Sequence, residues 1–321
     1  MKVLVTGAAG MLGRKFCQKL AQTGAIAGKK VESLTMSDVI ESPLINGPFR
    51  IRSLASDLSK PDVAEQLVAD RPDIILHAAA VVSGEAEVDF DKGYRVNVDG
   101  TKHLFEAVRR AAYRPRVIFA SSIAVFGAPF PEVIGEEFFA TPLTSYGAEK
   151  AIGEILLADY TRKKFFDGIG VRLPTICVRP GKPNLAASGF FSGIIREPLN
   201  GEEAILPVPD TVRHWMASPR SAVGFFFRAA EIDGTLLGPR RNLSMPGLSV
   251  TVGEMIESLG RCAGPERAKL IKRRPDPGIM RIVEGWPRQL DASRARTLGF
   301  EAETNFDEII HAHIEDERLT L

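Results

Sequence analysis

The feature that most narrows the fold lies at the N-terminus. A short apolar run, Lys2 to Thr6, is followed at once by Gly7-Ala8-Ala9-Gly10-Met11-Leu12-Gly13, and behind it Leu12, Phe16 and Leu20 recur at helical spacing. Strand, glycine turn and helix in that order make a cradle for a pyrophosphate. Glycine lets backbone approach phosphate closely, and a helix N-terminus offers unpaired N–H groups at the positive end of its dipole. The glycines fall three and three apart instead of the commoner two and three. Because glycines also serve ordinary turns, the flanking strand and helix carry the argument. The apolar start breaks into this turn, so it reads as a strand and not as a signal peptide.

A second strand, Val31 to Ser37, ends at Asp38. A carboxylate there can accept both hydroxyls of an adenosine ribose and repels a 2′-phosphate, which favours NAD over NADP. Residues 23–30 lengthen the interval as a small insertion. Arg14 argues the other way, and a turn-capping Asp38 is the plainer alternative. Ile74-Ile75-Leu76 and Val117-Ile118-Phe119 are continuous apolar runs suited to a parallel sheet covered on both faces. Residues 97–110 between them carry helical periodicity, and the alternation predicts a doubly wound α/β domain. Small residues after His77 (Ala78, Ala79, Ala80) suit close approach of a cofactor, or simple packing.

Ser145-Tyr146-Gly147-Ala148-Glu149-Lys150 is the stretch with chemistry in it. Tyr146 and Lys150, four residues apart, share one face of a helix that continues amphipathically over residues 151–160. Tyrosine holds its proton until about pH 10. A neighbouring ammonium favours the phenolate and is expected to lower that pKa, making the oxygen a usable proton acceptor. In a chain with four tyrosines the pair alone proves little; its context decides.

Composition closes off other classes. With 41 basic and 40 acidic residues among 321, the chain is a poor partner for nucleic acid. The basic residues around Lys269, Arg273 and Arg274 read as a solvated helix face. Cys17, Cys177 and Cys262 are odd in number and show neither metal spacing nor a disulfide framework, which fits a reducing cytoplasm. No apolar run approaches a membrane span.

Taken together these stretches resemble the extended short-chain dehydrogenase/reductase family, which includes nucleotide-sugar epimerases and dehydratases. The matching pieces, in the family's order over about the first 180 residues, begin with Thr6-Gly7-x-x-Gly10-x-x-Gly13, Asp38, Asp57-Leu58, His77 to Ala80 and Asn97-Val98-Asp99-Gly100-Thr101. They continue with Ser121-Ser122-Ile123-Ala124-Val125-Phe126-Gly127, Tyr146 with Lys150, and Val178-Arg179-Pro180. Phe126 stands where many members have tyrosine. The resemblance implies a Rossmann domain over residues 1–180, with a returning segment at about 213–240, and a smaller substrate-binding lobe over 181–321. It implies Tyr146 as base, Lys150 polarising it and holding the nicotinamide ribose, and Ser122 orienting the substrate alcohol. Gly7, Gly10, Met11, Leu12 and Gly13 would hold phosphate, Asp38 the adenosine ribose, and Asp57 and Leu58 the adenine. Ala78, Ala79, Ala80, Asn97 and Pro180 would line the rest of the cofactor site. A homodimer is also implied, through helices matching residues 101–112 and 148–160, where Leu104, Val108, Ile152 and Leu156 supply apolar positions.

The last third departs from nucleotide-sugar relatives. Lys182 replaces their usual asparagine, and Pro219 stands where they often carry aspartate. Arg179-Pro180-Gly181-Lys182-Pro183-Asn184 with Val212-Arg213-His214-Trp215 is similar to the branch whose members oxidise the C2 hydroxyl of D-erythronate. That resemblance implies an NAD-dependent dehydrogenase of a small sugar acid. Lys182 or Arg213 is the candidate cation for its carboxylate, and Ser83 and Asn184 are candidate hydroxyl partners. An epimerase keeping NAD bound is the alternative. A helix over 218–232 and a terminal helix over 305–316 are expected.

Overall fold

The computed structural model describes residues 1–181 and 188–320. Seven parallel strands form its main sheet, in the order Asn242–Ser244, Asp167–Leu173, Arg116–Ser122, Ile74–His77, Lys2–Thr6, Ser33–Asp38, Arg50–Ala55. The chain starts inside the sheet, builds to one edge, then returns to extend the other side. The order therefore reverses beside the first strand, and the crevice outside the strands' carboxyl ends at such a point is where ligands bind in sheets of this kind. Thr6, Asp38, His77 and Ser122 all end strands there.

Each sheet face has its own apolar cover. Val3, Val5, Leu34, Met36, Ile74, Leu76 and Ile118 pack with Phe16 and Leu20 of the helix Met11–Thr23 and with Phe225 and Phe226 of the helix Pro219–Glu231. The alternate residues Leu4, Ile75, Val117 and Phe119 pack with the helices Pro61–Val68, Gly100–Arg110 and Ser145–Arg162. Burial on both faces is why these strands read as unbroken apolar runs. The edge strand Arg50–Ala55 mixes Ile51 and Leu54 with Arg50, Arg52 and Ser53 and stays largely open to solvent, so hydrophobic pattern does not announce it. The insertion at residues 23–30 is a tiny hairpin, Ala25–Ile26 against Lys29–Lys30.

Leu104 and Val108 are fully buried in the second of these cores. This corrects their assignment to a subunit face: a helix lying on a sheet spends its main apolar stripe on that sheet. Ile152 and Leu156 are half-buried, and Ile155, 69% exposed, is the apolar residue that the helix Ser145–Arg162 presents outward.

Another core forms past Cys177, from Phe191, Ile194, Leu206, Met216, Val250, Met255, Leu259 and Ile309. It surrounds a three-stranded sheet of Arg213–Ala217 with Thr175–Ile176 (parallel) and Leu248–Thr251 (antiparallel). The passage back to the main sheet falls at one peptide: Met216 belongs to this core and Ala217 to the first. Among the described residues no helix is long and apolar enough to cross a membrane.

Candidate active site

The glycine turn sits against the segment after the fourth sheet strand. Gly7 has φ +75°, and a Cβ there would fall 2.5 Å from the Ala79 nitrogen and 2.6 Å from the Ala78 carbonyl carbon. Only glycine allows both the conformation and the approach. A Cβ on Gly13 would meet the Gly7 carbonyl oxygen at 2.2 Å, so the first helical turn is pressed onto the loop. No side chain caps Gly10 at the head of the helix Met11–Thr23, and its first turn, with half-buried Met11 and Leu12, carries no acid. This is a cradle that any side chain would fill, with an uncapped helix start beneath it, and it fits a pyrophosphate.

Asp38 ends the neighbouring strand half-buried, and its carboxylate accepts from the Ala9 and Val39 N–H groups (2.9 and 2.7 Å). It thus caps the turn while each oxygen keeps further lone pairs. Asp57 accepts from the hydroxyl and N–H of Ser59 (2.7 and 3.0 Å), which hold its carboxyl below the usual range, and Leu58 beside it is buried. Ala78, Ala79 and Ala80 are half-buried. Asn97 is committed to the scaffold: its oxygen accepts from Val81 N–H (2.8 Å), and its nitrogen donates to Val81 O (3.0 Å) and Glu149 Oε2 (2.6 Å). His77 is buried between hydroxyls. The Thr101 proton goes to Asn97 O (2.6 Å), so Thr101 accepts from His77 Nε2 (2.9 Å) and His77 Nδ1 accepts from Thr6 (2.7 Å). Desolvation then pushes the ring down to about 3, and it stays neutral.

The helix Ser145–Arg162 is set by its first turn. Thr144 caps it by accepting from Gly147 N–H (3.1 Å), and Glu87 accepts from Ser145 N–H (3.0 Å). Tyr146 and Lys150 share the face toward the strand Arg116–Ser122, as their spacing predicts. Lys150 is buried, donates to Ala120 O (2.9 Å), and lies 4.9 Å over the Phe119 ring and 5.6 Å over the Tyr146 ring. Burial pushes it down to about 8. Ser122 is half-buried, accepts from Ala124 N–H (3.1 Å), and hydrogen-bonds Tyr146.

One expectation is overturned in this geometry. The Tyr146 phenol is not lowered but pushed up to about 12, chiefly by desolvation and also by Glu149; Arg179 and the Ser122 hydrogen bond oppose this. Lys150 faces the tyrosine's ring and gives its hydrogen bond to a backbone carbonyl, so its charge is not spent on the phenol oxygen.

The substrate side is placed unevenly. Ser83 opens the short helix Ser83–Val88, half-buried. Arg213 donates to Ser249 O (2.8 Å) and lies 3.5 Å from Glu254, so its charge is already answered. Pro180 is half-buried, and Lys182 and Asn184 lie outside the described residues. Arg179, read in the sequence only as part of a motif, is half-buried and donates to Ile176 O (3.1 Å) and Ser188 Oγ (3.2 Å). Nothing in the sequence shows which arginines go without an acidic partner.

A doubly wound sheet with a glycine cradle at its switch point and a Ser-Tyr-Lys set beside it defines a dinucleotide-dependent enzyme. Residues 3–218 match the family described as "NAD dependent epimerase/dehydratase family", and the chain belongs to it. It is therefore an NAD-dependent enzyme. It is 46% identical over 320 residues to a D-erythronate dehydrogenase of Cupriavidus necator, covering 98% of both chains. It is 40% identical over 315 residues to a D-erythronate dehydrogenase of Haemophilus influenzae, covering 98% of this chain and 99% of that one. A solved structure described as the nucleoside-diphosphate-sugar epimerase from Agrobacterium tumefaciens is 60% identical, with TM-score 0.97 over 99% of this chain and 94% of that one.

Proposed function

We propose that the chain oxidises the C2 hydroxyl of a small sugar acid of the D-erythronate type to the 2-keto acid. The observation that carries this is the similarity to two D-erythronate dehydrogenases over nearly the whole length of each, substrate lobe included. In this reading Ser122 holds the substrate hydroxyl beside Tyr146, and Tyr146 takes its proton. The C2–H electron pair leaves as hydride while the C=O bond forms. Bound NAD supplies the hydride acceptor. Lys150, held against Ala120 O, keeps a positive charge behind the phenol and reaches the nicotinamide ribose. Gly7, Gly10, Met11, Leu12 and Gly13 cradle the pyrophosphate, Asp38 takes the adenosine ribose, and Asp57 with Leu58 borders the adenine. Ala78, Ala79, Ala80, Asn97 and Pro180 complete the cofactor wall. Ser83, Lys182, Asn184 and Arg213 are the substrate-side candidates of residues 181–321 and their surroundings.

Steady reduction of added NAD by D-erythronate, and weakly by longer aldonates, is the expected result. The second reading, an epimerase with retained NAD, is favoured by the description of the Agrobacterium tumefaciens structure. Tight binding of a UDP-sugar with no NAD reduction by any aldonate would establish it instead. A homodimer is also proposed, with the exposed Ile155 at its face. A monomeric mass in light scattering at micromolar protein refutes it.

A further inference from the structure

Two consecutive residues at the end of the strand Arg116–Ser122 are tied to one face of the helix Ser145–Arg162. The Ala120 carbonyl accepts from Lys150 Nζ (2.9 Å), and the Ser121 hydroxyl donates to Glu154 Oε1 (2.6 Å). Ser122 is the next residue of that strand. Tyr146, Lys150 and Glu154 are spaced four and four, so they lie one above another along the helix. Glu154 is outside the Ser-Tyr-Lys set and only 2% exposed. Arg172 meets it with a two-pronged contact, Nε to Oε1 (2.9 Å) and a terminal nitrogen to Oε2 (2.7 Å). In the register of the sheet Arg172, on the strand Asp167–Leu173, stands directly beside Ser121. Its guanidinium also lies 4.9 Å over the ring of Phe126, which is buried in the turn that follows Ser122.

A buried ion pair is a costly way to join a strand to a helix. Its charges repay their desolvation only in good geometry, and apolar residues of similar volume serve stability at least as well. What the pair supplies and apolar packing does not is direction. The rest of this contact is smooth. Gly153, just before Glu154, lies so close to the Phe119 ring that a Cβ would fall 2.5 Å from its Cζ, and a glycine against a ring resists approach more than sliding. A slide of one residue along a helix is about 1.5 Å. Misplacing a reacting group by about 1 Å costs about 100-fold in rate. We infer that Glu154 and Arg172 are positioning residues: with Ser121 they fix the height and rotation of the helix against the strand, and so hold Tyr146 and Lys150 in register with Ser122. The assignment rests on the proton-transfer roles proposed above, and both residues act through others.

The test separates holding the fold from holding the geometry. Glu154→Met leaves Arg172 buried without its partner, and Tm should fall by about 10 °C. Adding Arg172→Met and Ser121→Ala makes the whole contact apolar at similar volume, so Tm should return to within about 4 °C of wild type. Turnover should not return with it. For NAD reduction with D-erythronate, kcat should stay about 100-fold down, with KM for the acid and NADH affinity within about threefold of wild type. Recovery of kcat along with Tm overturns the inference, since the pair then serves the fold alone. A matching loss of NADH affinity also overturns it, because the damage then reaches beyond the proton-transfer set. Wild-type protein that reduces NAD with no aldonate takes down the dehydrogenase reading and this inference together, whereas an active wild type with an equally active triple variant sinks the inference alone. Should the triple variant stay destabilised or fail to fold, Ser121→Ala decides. It keeps the ion pair but frees the strand from Glu154; kcat about tenfold down supports positioning, and wild-type kcat overturns it.

Discussion

The two sides of the cleft are built by different means. The side proposed for the cofactor consists of strand ends, backbone and residues as small as glycine and alanine; one of its charges, Asp38, is fastened to the glycine turn. The side proposed for the substrate offers longer side chains, such as Arg213 on a short strand, whose charge is already met by Ser249 and Glu254. Shape does the work on one side and charge balance on the other. The first side is therefore sensitive to added volume, and the second to removed charge.

The sharpest break in that comparison is at the seam. Tyr146→Phe removes the proton acceptor and almost no volume, so kcat should drop by about 10³- to 10⁴-fold. NADH affinity, followed by fluorescence titration, should stay within about threefold of wild type. A variant that keeps near wild-type kcat disproves the assigned base.

Added volume should act on the other side. Gly7→Val forces a β-branched residue into positive φ and into Ala78 and Ala79. NAD affinity should fall about 100-fold while any turnover that remains keeps the wild-type KM for substrate. If substrate KM rises as much as the NAD constant, the two sides are not separable.

The proton step should show its own pH dependence. Burial holds the Tyr146 phenol up to about 12 and Lys150 down to about 8, so the phenolate that accepts the substrate proton is a minor form at neutral pH. Oxidation kcat/KM should therefore climb about tenfold per unit from pH 6 to beyond pH 8, without levelling at the lysine's value, while the reverse reduction falls. A flat profile between pH 6 and 8 would show that this pair does not carry the proton. The smallest effect belongs to Asp38→Asn, which keeps an acceptor for Ala9 but drops the charge. The preference for NAD over NADP, as a ratio of kcat/KM values, should shrink about tenfold. An unchanged ratio would leave Asp38 as a turn cap only.

How much of this was legible follows the same division. The glycine turn, Asp38 at a strand end and the Tyr146–Lys150 spacing are local patterns, and local patterns are written in consecutive residues. The burial of Leu104 and Val108 was not, because an apolar stripe does not say which of two surfaces covers it. That Arg213 is already engaged was not legible either, because Glu254 lies 41 positions away from it. The direction of the Tyr146 shift was not legible because spacing puts Lys150 on the right helix face without saying that the phenol would be buried, nor that Ala120 O would take the lysine's proton donor.

The Asn97 clamp has a practical bearing on directed evolution. Through one amide it joins the loop at Val81 to Glu149, the residue beside Lys150. A library that varies Asn97 to reach new substrates would shake the catalytic helix and return mostly dead clones. Randomising Ser83 with residues 97 and 149 held fixed would change the proposed pocket while leaving that clamp alone. The useful search space is thus narrower than the proposed pocket.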